Sequence, residues 1–409
     1  MSLMTETKRQ MFADSQLPAD IRFQQPISPH ALNPRAVCLT GATGFLGGYL
    51  LHELLTSTDA EAYCLVRASD RSGAMDRLVS HLSGYGLWDE ANRRRIHAIP
   101  VQDLADRQFG MPDDEYTELA RSVDAIYHSA GTLNMAFPYN RSKRTNVTGT
   151  EEAIRLAAAE KTKAMHFLSS LVVFFTDAHQ HDEVLTENDD PAYDDTLRGG
   201  YAKSKWVADR LVAAAGKQGM PATIHRPVRT MGTRATGAMN DLEDILPLML
   251  KACVLLRACP VLDVRVTMVP VDVVSRAIVH LASRDSSWGK SYHYFHPNPL
   301  PWNDLMGLIR NLGYQLDPMP YDDWRRLIKR VAANAMLPHD LKAFLAHAFL
   351  ATVAPHFLFY KRPPMTATNL EEGLRGTGIA YPDIDAGLIR SYFDYWRHVG
   401  FVPGPGETG

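Results

Sequence analysis

From Arg35 onward the chain alternates short apolar runs with longer stretches of helical spacing. The runs Ala36–Leu39, Ala62–Val66, Ile96–Val101, Ala125–His128, Met165–Leu168 and Ala222–His225 have strand length. Tyr49–Leu55, the charged stretch 71–97, Glu151–Lys161 and Lys203–Ala215 lie between them and place apolar residues at helical intervals. Strands that are apolar throughout are buried on both faces, and strand–helix alternation winds a sheet in parallel. The pattern therefore predicts an α/β fold, a Rossmann-type doubly wound parallel sheet over residues 31–285. Residues 1–30 are polar with scattered prolines and read as an N-terminal extension wrapping the surface. Residues 286–409 carry helical stretches (Trp302–Leu312, Asp322–Asn334, Ile384–His398) and many prolines, which predicts a smaller, mainly helical C-terminal substrate lobe. Segment 232–262 reads as an excursion from the sheet domain toward that lobe, and Pro403–Gly409 as a disordered tail.

Composition narrows the classes. At 409 residues the chain exceeds one ordinary domain, and 45% hydrophobic with 22% charged residues is a globular balance. A net charge of -3 and a pI near 6.6 argue against a nucleic-acid partner. Cys38, Cys64, Cys253 and Cys259 form no CxxC pair and read as buried reduced thiols. No HExxH or Cys/His ligand spacing occurs among the 16 histidines, so no metal is expected. Residues 1–20 lack the apolar run of a signal peptide. Met1-Ser2-Leu3 ahead of Met4 resembles a cloning scar before a native start, which points to a free-standing protein. The apolar stretch Leu341–Tyr360 is broken by Lys342, His347, Pro355 and His356, the pattern of a core helix pair and not of a membrane span. A cytoplasmic enzyme is expected.

The candidate chemistry begins at Thr40-Gly41-Ala42-Thr43-Gly44-Phe45-Leu46-Gly47, glycines spaced GxxGxxG between a strand and a helix. Gly41 permits the tight turn, Gly44 lets backbone approach a pyrophosphate, and Gly47 lets helix and strand pack closely. The helix start then offers N–H groups to the phosphates. An NAD site places an acidic residue at the end of the second strand, but here that strand ends in Arg67. A guanidinium matches a 2′-phosphate in charge and fork geometry, which favours NADPH. Arg77 either reaches the same phosphate or is merely solvated, and Asp70 nearby complicates the assignment. Asp103 after the third strand fits an adenine contact and, equally, a turn aspartate. Ser129-Ala130-Gly131 supplies small residues where a cofactor crosses the sheet edge.

Tyr201-Ala202-Lys203-Ser204-Lys205 contains Tyr-x-x-x-Lys, which puts phenol and ammonium on one helix face. The nearby cation stabilises the phenolate and makes Tyr201 a competent proton donor near neutral pH. Ser169-Ser170 ends the fifth strand and offers a hydroxyl to the same place.

On these residues the chain resembles the thioester reductase domains that end nonribosomal peptide and polyketide synthases and carboxylic acid reductases, within the extended short-chain dehydrogenases. The resemblance runs from Leu39 to Pro403 through Thr40–Gly47, Tyr63–Ala68, Asn146–Thr150, Gly200–Trp206, His225-Arg226-Pro227, Val269–Asp272, Gly376–Ile379 and Gly400–Pro403. It implies a Ser170, Tyr201, Lys205 triad. It also implies NADPH contacts at Gly41, Thr43, Gly44, Phe45, Leu46, Gly47, Arg67, Arg77, Asp103, Leu104, Ser129, Ala130, Gly131, Ser169 and Pro227, besides Tyr201 and Lys205. The family pattern has Ser-Thr at Ser169-Ser170, Gly at Gln102 and Gly at Val228, so the adenine contact and the cleft width are where this chain departs. The implied reaction is reductive release of an acyl or peptidyl thioester from a phosphopantetheine carrier protein to an aldehyde, with an alcohol left open. Carriers in this family are acidic where they dock, and Arg325, Arg326, Lys329 and Arg330 make a basic helical face that either receives one or is an ordinary solvated face. Competing readings are a fatty acyl-CoA reductase, a sugar-nucleotide epimerase and a redox-silent cyclising or binding relative. Retention of Ser170, Tyr201 and Lys205 argues against the last.

Overall fold

The computed structural model describes residues 6–134, 137–176, 179, 184–193, 195–239, 244–332 and 364–407. The chain divides into two units, Met1–Val228 with Asp272–Tyr294 and Pro363–Ile379, and Arg229–Val271 with Phe295–Arg362 and Ala380–Gly409.

The first unit runs α1 (Glu6–Asp14), β1 (Ala36–Thr40), α2 (Phe45–Ser57), β2 (Glu61–Arg67), α3 (Arg71–Gly84), β3 (Ile96–Val101), α4 (Asp113–Ser122), β4 (Ala125–His128), α5 (Tyr139–Lys143), α6 (Gly149–Ala158), β5 (Ala164–Leu168), α7 (Gly200–Lys217) and β6 (Ala222–Pro227). A seventh strand, Ser291–Tyr294, closes the sheet, whose order is β3-β2-β1-β4-β5-β6 and then that strand, every neighbour parallel. Every residue of β1, β4, β5 and β6 is buried, as the unbroken apolar runs predict for a sheet covered on both faces. Strand order reverses between β1 and β4, and the registers Thr40↔His128 and Leu168↔His225 align the carboxyl ends of the central strands. Open α/β sheets bind ligands at that crevice.

The seventh strand lies beyond the predicted boundary at residue 285. Its sequence, Ser-Tyr-His-Tyr, carries no aliphatic signal, and burial comes from its neighbour β6. Residues 364–379 also group with this unit, because the helix Thr368–Leu374 is tied to the sheet by Glu187. The buried Glu187 carboxylate accepts the backbone N–H of His293 (3.0 Å), Asn369 (2.5 Å) and Leu370 (3.2 Å). A carboxylate acting as a distant helix cap leaves no local sequence signature. The predicted extension holds α1, whose Met11 is buried and whose Phe12 meets Trp206 of α7 edge-on at 5.5 Å. Asp14 accepts from Tyr139 Oη and Lys143 Nζ, both at 2.7 Å. The stretch 71–97 is α3, then a 3-10 turn at Glu90–Arg95 and the start of β3.

The second unit holds the helices Ile245–Leu256, Trp302–Asn311, Tyr321–Ala332 and Ala386–His398. Short two-stranded ladders accompany them, among them Ala258–Val261 with Asp317–Pro320. Its core is built on Trp302, Trp324 and Trp396, and the indole N–H groups of the first two donate to the carbonyls of Pro260 (2.8 Å) and Ala258 (3.0 Å). Buried indoles need such partners. The predicted helix pair at 341–360 lies outside the described residues. Among the described residues no helix is long and apolar enough to cross a membrane.

Candidate active site

The turn after β1 is shaped by close backbone approach. Gly41 has φ +77°, and a Cβ there would stand 2.7 Å from the Ala130 nitrogen. A Cβ on Gly47 would fall 1.9 Å from the Gly41 carbonyl oxygen. Only glycine fits at either position. Gly44 caps α2 in extended conformation without a side-chain acceptor, so the first-turn amides of Phe45, Leu46 and Gly47 have no side-chain cap. Thr43, Gly44, Phe45 and Leu46 form a half-buried rim there. An uncapped helix start beside a crevice that a methyl group would fill fits a dinucleotide pyrophosphate.

Two histidines brace this turn. His81 Nε2 lies 3.1 Å from the Gly44 carbonyl oxygen. His128 bridges Thr40 Oγ1 (2.7 Å) and Thr150 Oγ1 (3.0 Å), while Thr40 Oγ1 accepts from the Ala130 amide at 3.2 Å. Burial, then the Lys205 charge, pushes the His128 imidazole down to about 3, so it stays neutral and hydrogen-bonds as a fixed strut. Neither residue is among those the sequence pointed to. A polar residue closing an apolar strand, as His128 does, is the signal that was there.

At the end of β2, Arg67 is exposed and its carbonyl accepts a hydrogen bond from Arg77 Nη1. Asp70 caps α3 by accepting from the Gly73 amide at 2.8 Å, a structural task that answers the complication it posed. Asp103 Oδ2 accepts from Arg144 Nε at 2.6 Å and Oδ1 from the Ala105 amide at 2.9 Å. Burial raises the proton affinity of Asp103, but the amide and Arg144 outweigh it and hold the carboxyl below its usual range. Leu104 packs on Gly149, where a Cβ would meet the Leu104 Cβ at 3.5 Å. Gln102 points its amide at the Ala68 carbonyl (3.4 Å), and the Val228 amide donates to the Tyr294 carbonyl (2.9 Å).

The Tyr-x-x-x-Lys helix starts on two glycines. Gly199 has φ +78°, and a Cβ on Gly200 would sit 2.3 Å from the Phe137 carbonyl oxygen. α7 therefore begins pressed against the 137–138 backbone, with Tyr201 and Lys205 buried on its inner face. Lys205 Nζ donates to the Leu168 carbonyl at the end of β5 (2.7 Å) and lies 3.4 Å from where a Gly131 Cβ would stand. Burial pushes the Lys205 ammonium down to about 8, with Asp209 pulling the other way. Asn146 joins Ser204 Oγ (2.8 Å) and the amide and carbonyl of Thr132, fixing the loop after Gly131. Ser170 Oγ reaches the Pro227 carbonyl at 3.4 Å. The Ser169 hydroxyl instead donates to the buried Asp209 carboxylate at 2.6 Å, so its side chain is committed away from a cofactor. Residues from the ends of β4, β5 and β6 and from the first two turns of α7 thus meet at one edge of the sheet.

A parallel sheet in this order, with a glycine-rich turn at its switch point, defines a dinucleotide-dependent oxidoreductase of the extended short-chain dehydrogenase class. The chain belongs to the NAD-binding male sterility protein family, which it matches over residues 39–278. It is 34% identical to the terminal R domain from the myxalamid PKS-NRPS biosynthetic pathway, with a TM-score of 0.90 over 98% of this chain and 100% of that one. A linear gramicidin synthase of Brevibacillus parabrevis is 36% identical over 92% of this chain, and the L-2-aminoadipate reductase of Eremothecium gossypii is 32% identical over 91%. The chain spans 7% and 28% of those two relatives' own lengths. The resemblance read from the motifs is the one that the comparisons return.

Proposed function

We propose that the chain is an NADPH-dependent thioester reductase that releases an acyl or peptidyl group from a phosphopantetheine carrier protein as an aldehyde. The observation that carries this reading is the placement of Lys205, bonded to the end of the strand that leads into Ser170 and set beside Gly131. Phe45, Leu46 and Gly47 would hold the pyrophosphate on their amides, Arg67 the 2′-phosphate, and Lys205 the nicotinamide ribose. Bound NADPH supplies the hydride for the thioester carbonyl carbon. Ser170 and Tyr201 would donate hydrogen bonds to the oxygen as negative charge develops on it, and Tyr201 would give it a proton. The buried Lys205 ammonium favours the phenolate left behind. Loss of the thiol from the resulting hemithioacetal yields the aldehyde.

The carrier would meet the exposed Arg326, Lys329 and Arg330 of the helix Tyr321–Ala332, opposite its buried Trp324 and Ile328. We place the protein in the cytoplasm, where its four buried, unpaired cysteines stay reduced. Tyr201→Phe tests the reading. It should lose on the order of 10²–10⁴-fold in kcat, the worth of general acid catalysis, while NADPH binding is kept. Parental turnover by that variant, followed by NADPH absorbance on a carrier-bound thioester, would overturn it.

A further inference from the structure

Tyr201, Lys205 and Asp209 follow one another at four-residue spacing on α7, so phenol, ammonium and carboxylate line one helix face. Asp209 is 1% exposed. Its carboxylate accepts from Ser169 Oγ of the β5 end (2.6 Å) and from Arg226 of β6 through Nε (3.0 Å) and Nη2 (2.8 Å). Ser169 precedes Ser170, and Arg226 precedes Pro227, whose carbonyl faces the Ser170 hydroxyl. One carboxylate thus holds the residue before the candidate hydroxyl and the residue before that hydroxyl's neighbour, from the same helix that carries Tyr201 and Lys205. The far side of Arg226 is fixed as well, with the Phe174 ring 5.0 Å from its guanidinium and His293 Nε2 3.4 Å from Nη1.

We propose that Asp209 is a positioning residue of the reductase site, setting Ser170 against Tyr201 and Lys205 and supplying a buried negative charge one turn beyond the ammonium. The proposal rests on the thioester reductase reading. A buried ion pair kept for stability alone can be exchanged for apolar residues of similar volume with little loss. A positioning pair cannot.

The second readout is pH. Among the described residues, the titratable and charged groups facing Lys205 are Tyr201 and Asp209 on its own helix and His128 of β4, with Arg226 of β6 behind Asp209. Burial already draws the ammonium toward deprotonation, and Asp209 opposes it. Without the carboxylate the proton is lost at lower pH, so the alkaline limb of the kcat profile moves toward neutrality.

The experiment compares Asp209→Asn with the double variant Asp209→Leu/Arg226→Met, using NADPH and an acyl-pantetheine thioester. Asp209→Asn should lower kcat on the order of 10–100-fold, the scale of a small misplacement, with NADPH affinity retained and the alkaline limb displaced. The double variant removes both buried charges and should keep both defects. A double variant with parental kcat and parental alkaline limb would overturn the proposal. Should the charge variants fail to fold, Ser169→Ala deletes one bond to Asp209 and no charge: lowered kcat at unchanged NADPH affinity supports the proposal, and unchanged kcat overturns it. Tyr201→Phe measured alongside separates the two levels. Its full activity would overturn the reductase reading, whereas its loss beside an intact double variant overturns only the role of Asp209.

Discussion

Removing the Arg67 side chain isolates the coenzyme choice. The guanidinium is exposed at the end of β2, with no hydrogen bond or ion pair to another described residue, so no internal partner is orphaned by Arg67→Ala. The backbone there is held independently, because Arg77 donates to the Arg67 carbonyl and that bond survives the substitution. A hydrogen bond to a charged partner contributes about 1.5–3 kcal/mol, and solvent screening at an exposed site favours the lower end. At a factor of ten for every 1.4 kcal/mol, Arg67→Ala should raise the NADPH KM about tenfold and change the NADH KM by less than about twofold. The preference of the parent enzyme should also shrink as salt rises. The assay is kcat/KM for both coenzymes at low and high ionic strength with one thioester substrate. An equal loss with both coenzymes would refute the reasoning, since Arg67 would then act through the shape of the strand end and not through a 2′-phosphate.

Gly47→Ala puts a methyl group 1.9 Å from the Gly41 carbonyl oxygen, a backbone atom that cannot rotate away. It should abolish NADPH binding in a fluorescence titration and cost about 1–3 kcal/mol of stability from overpacking; parental affinity would contradict the assigned role of the turn. Burial pushes the Glu187 carboxyl up to about 7 from 4.5, against the pull of three amide donors. Between those values the folded chain holds a proton that the unfolded chain has released, so stability should fall as pH rises through the window. Urea titrations of Glu187→Gln should show that slope removed, and an unchanged slope would exclude Glu187 as its source.

The local chemistry of the chain was legible without coordinates wherever it depends on neighbours in sequence. Apolar runs specify strands buried on both faces, GxxGxxG specifies a turn that only glycine can make, and a four-residue spacing specifies that Tyr201 and Lys205 share a face. Each of these follows from backbone geometry over a few residues. Distant partnerships could not be read that way. Ser169 and Ser170 are chemically identical side by side, yet the fold turns one toward Asp209, 40 residues away, and the other toward Pro227. Asp209 itself sits at the next step of the same four-residue repeat, but its importance depends on Arg226 arriving from another strand. The seventh strand and the helix Thr368–Leu374 join the sheet through β6 and the buried Glu187, contacts without local pattern. Burial is the physical reason: a charged or polar group taken out of water must find its partner wherever the fold brings one, and that choice belongs to the packed structure alone.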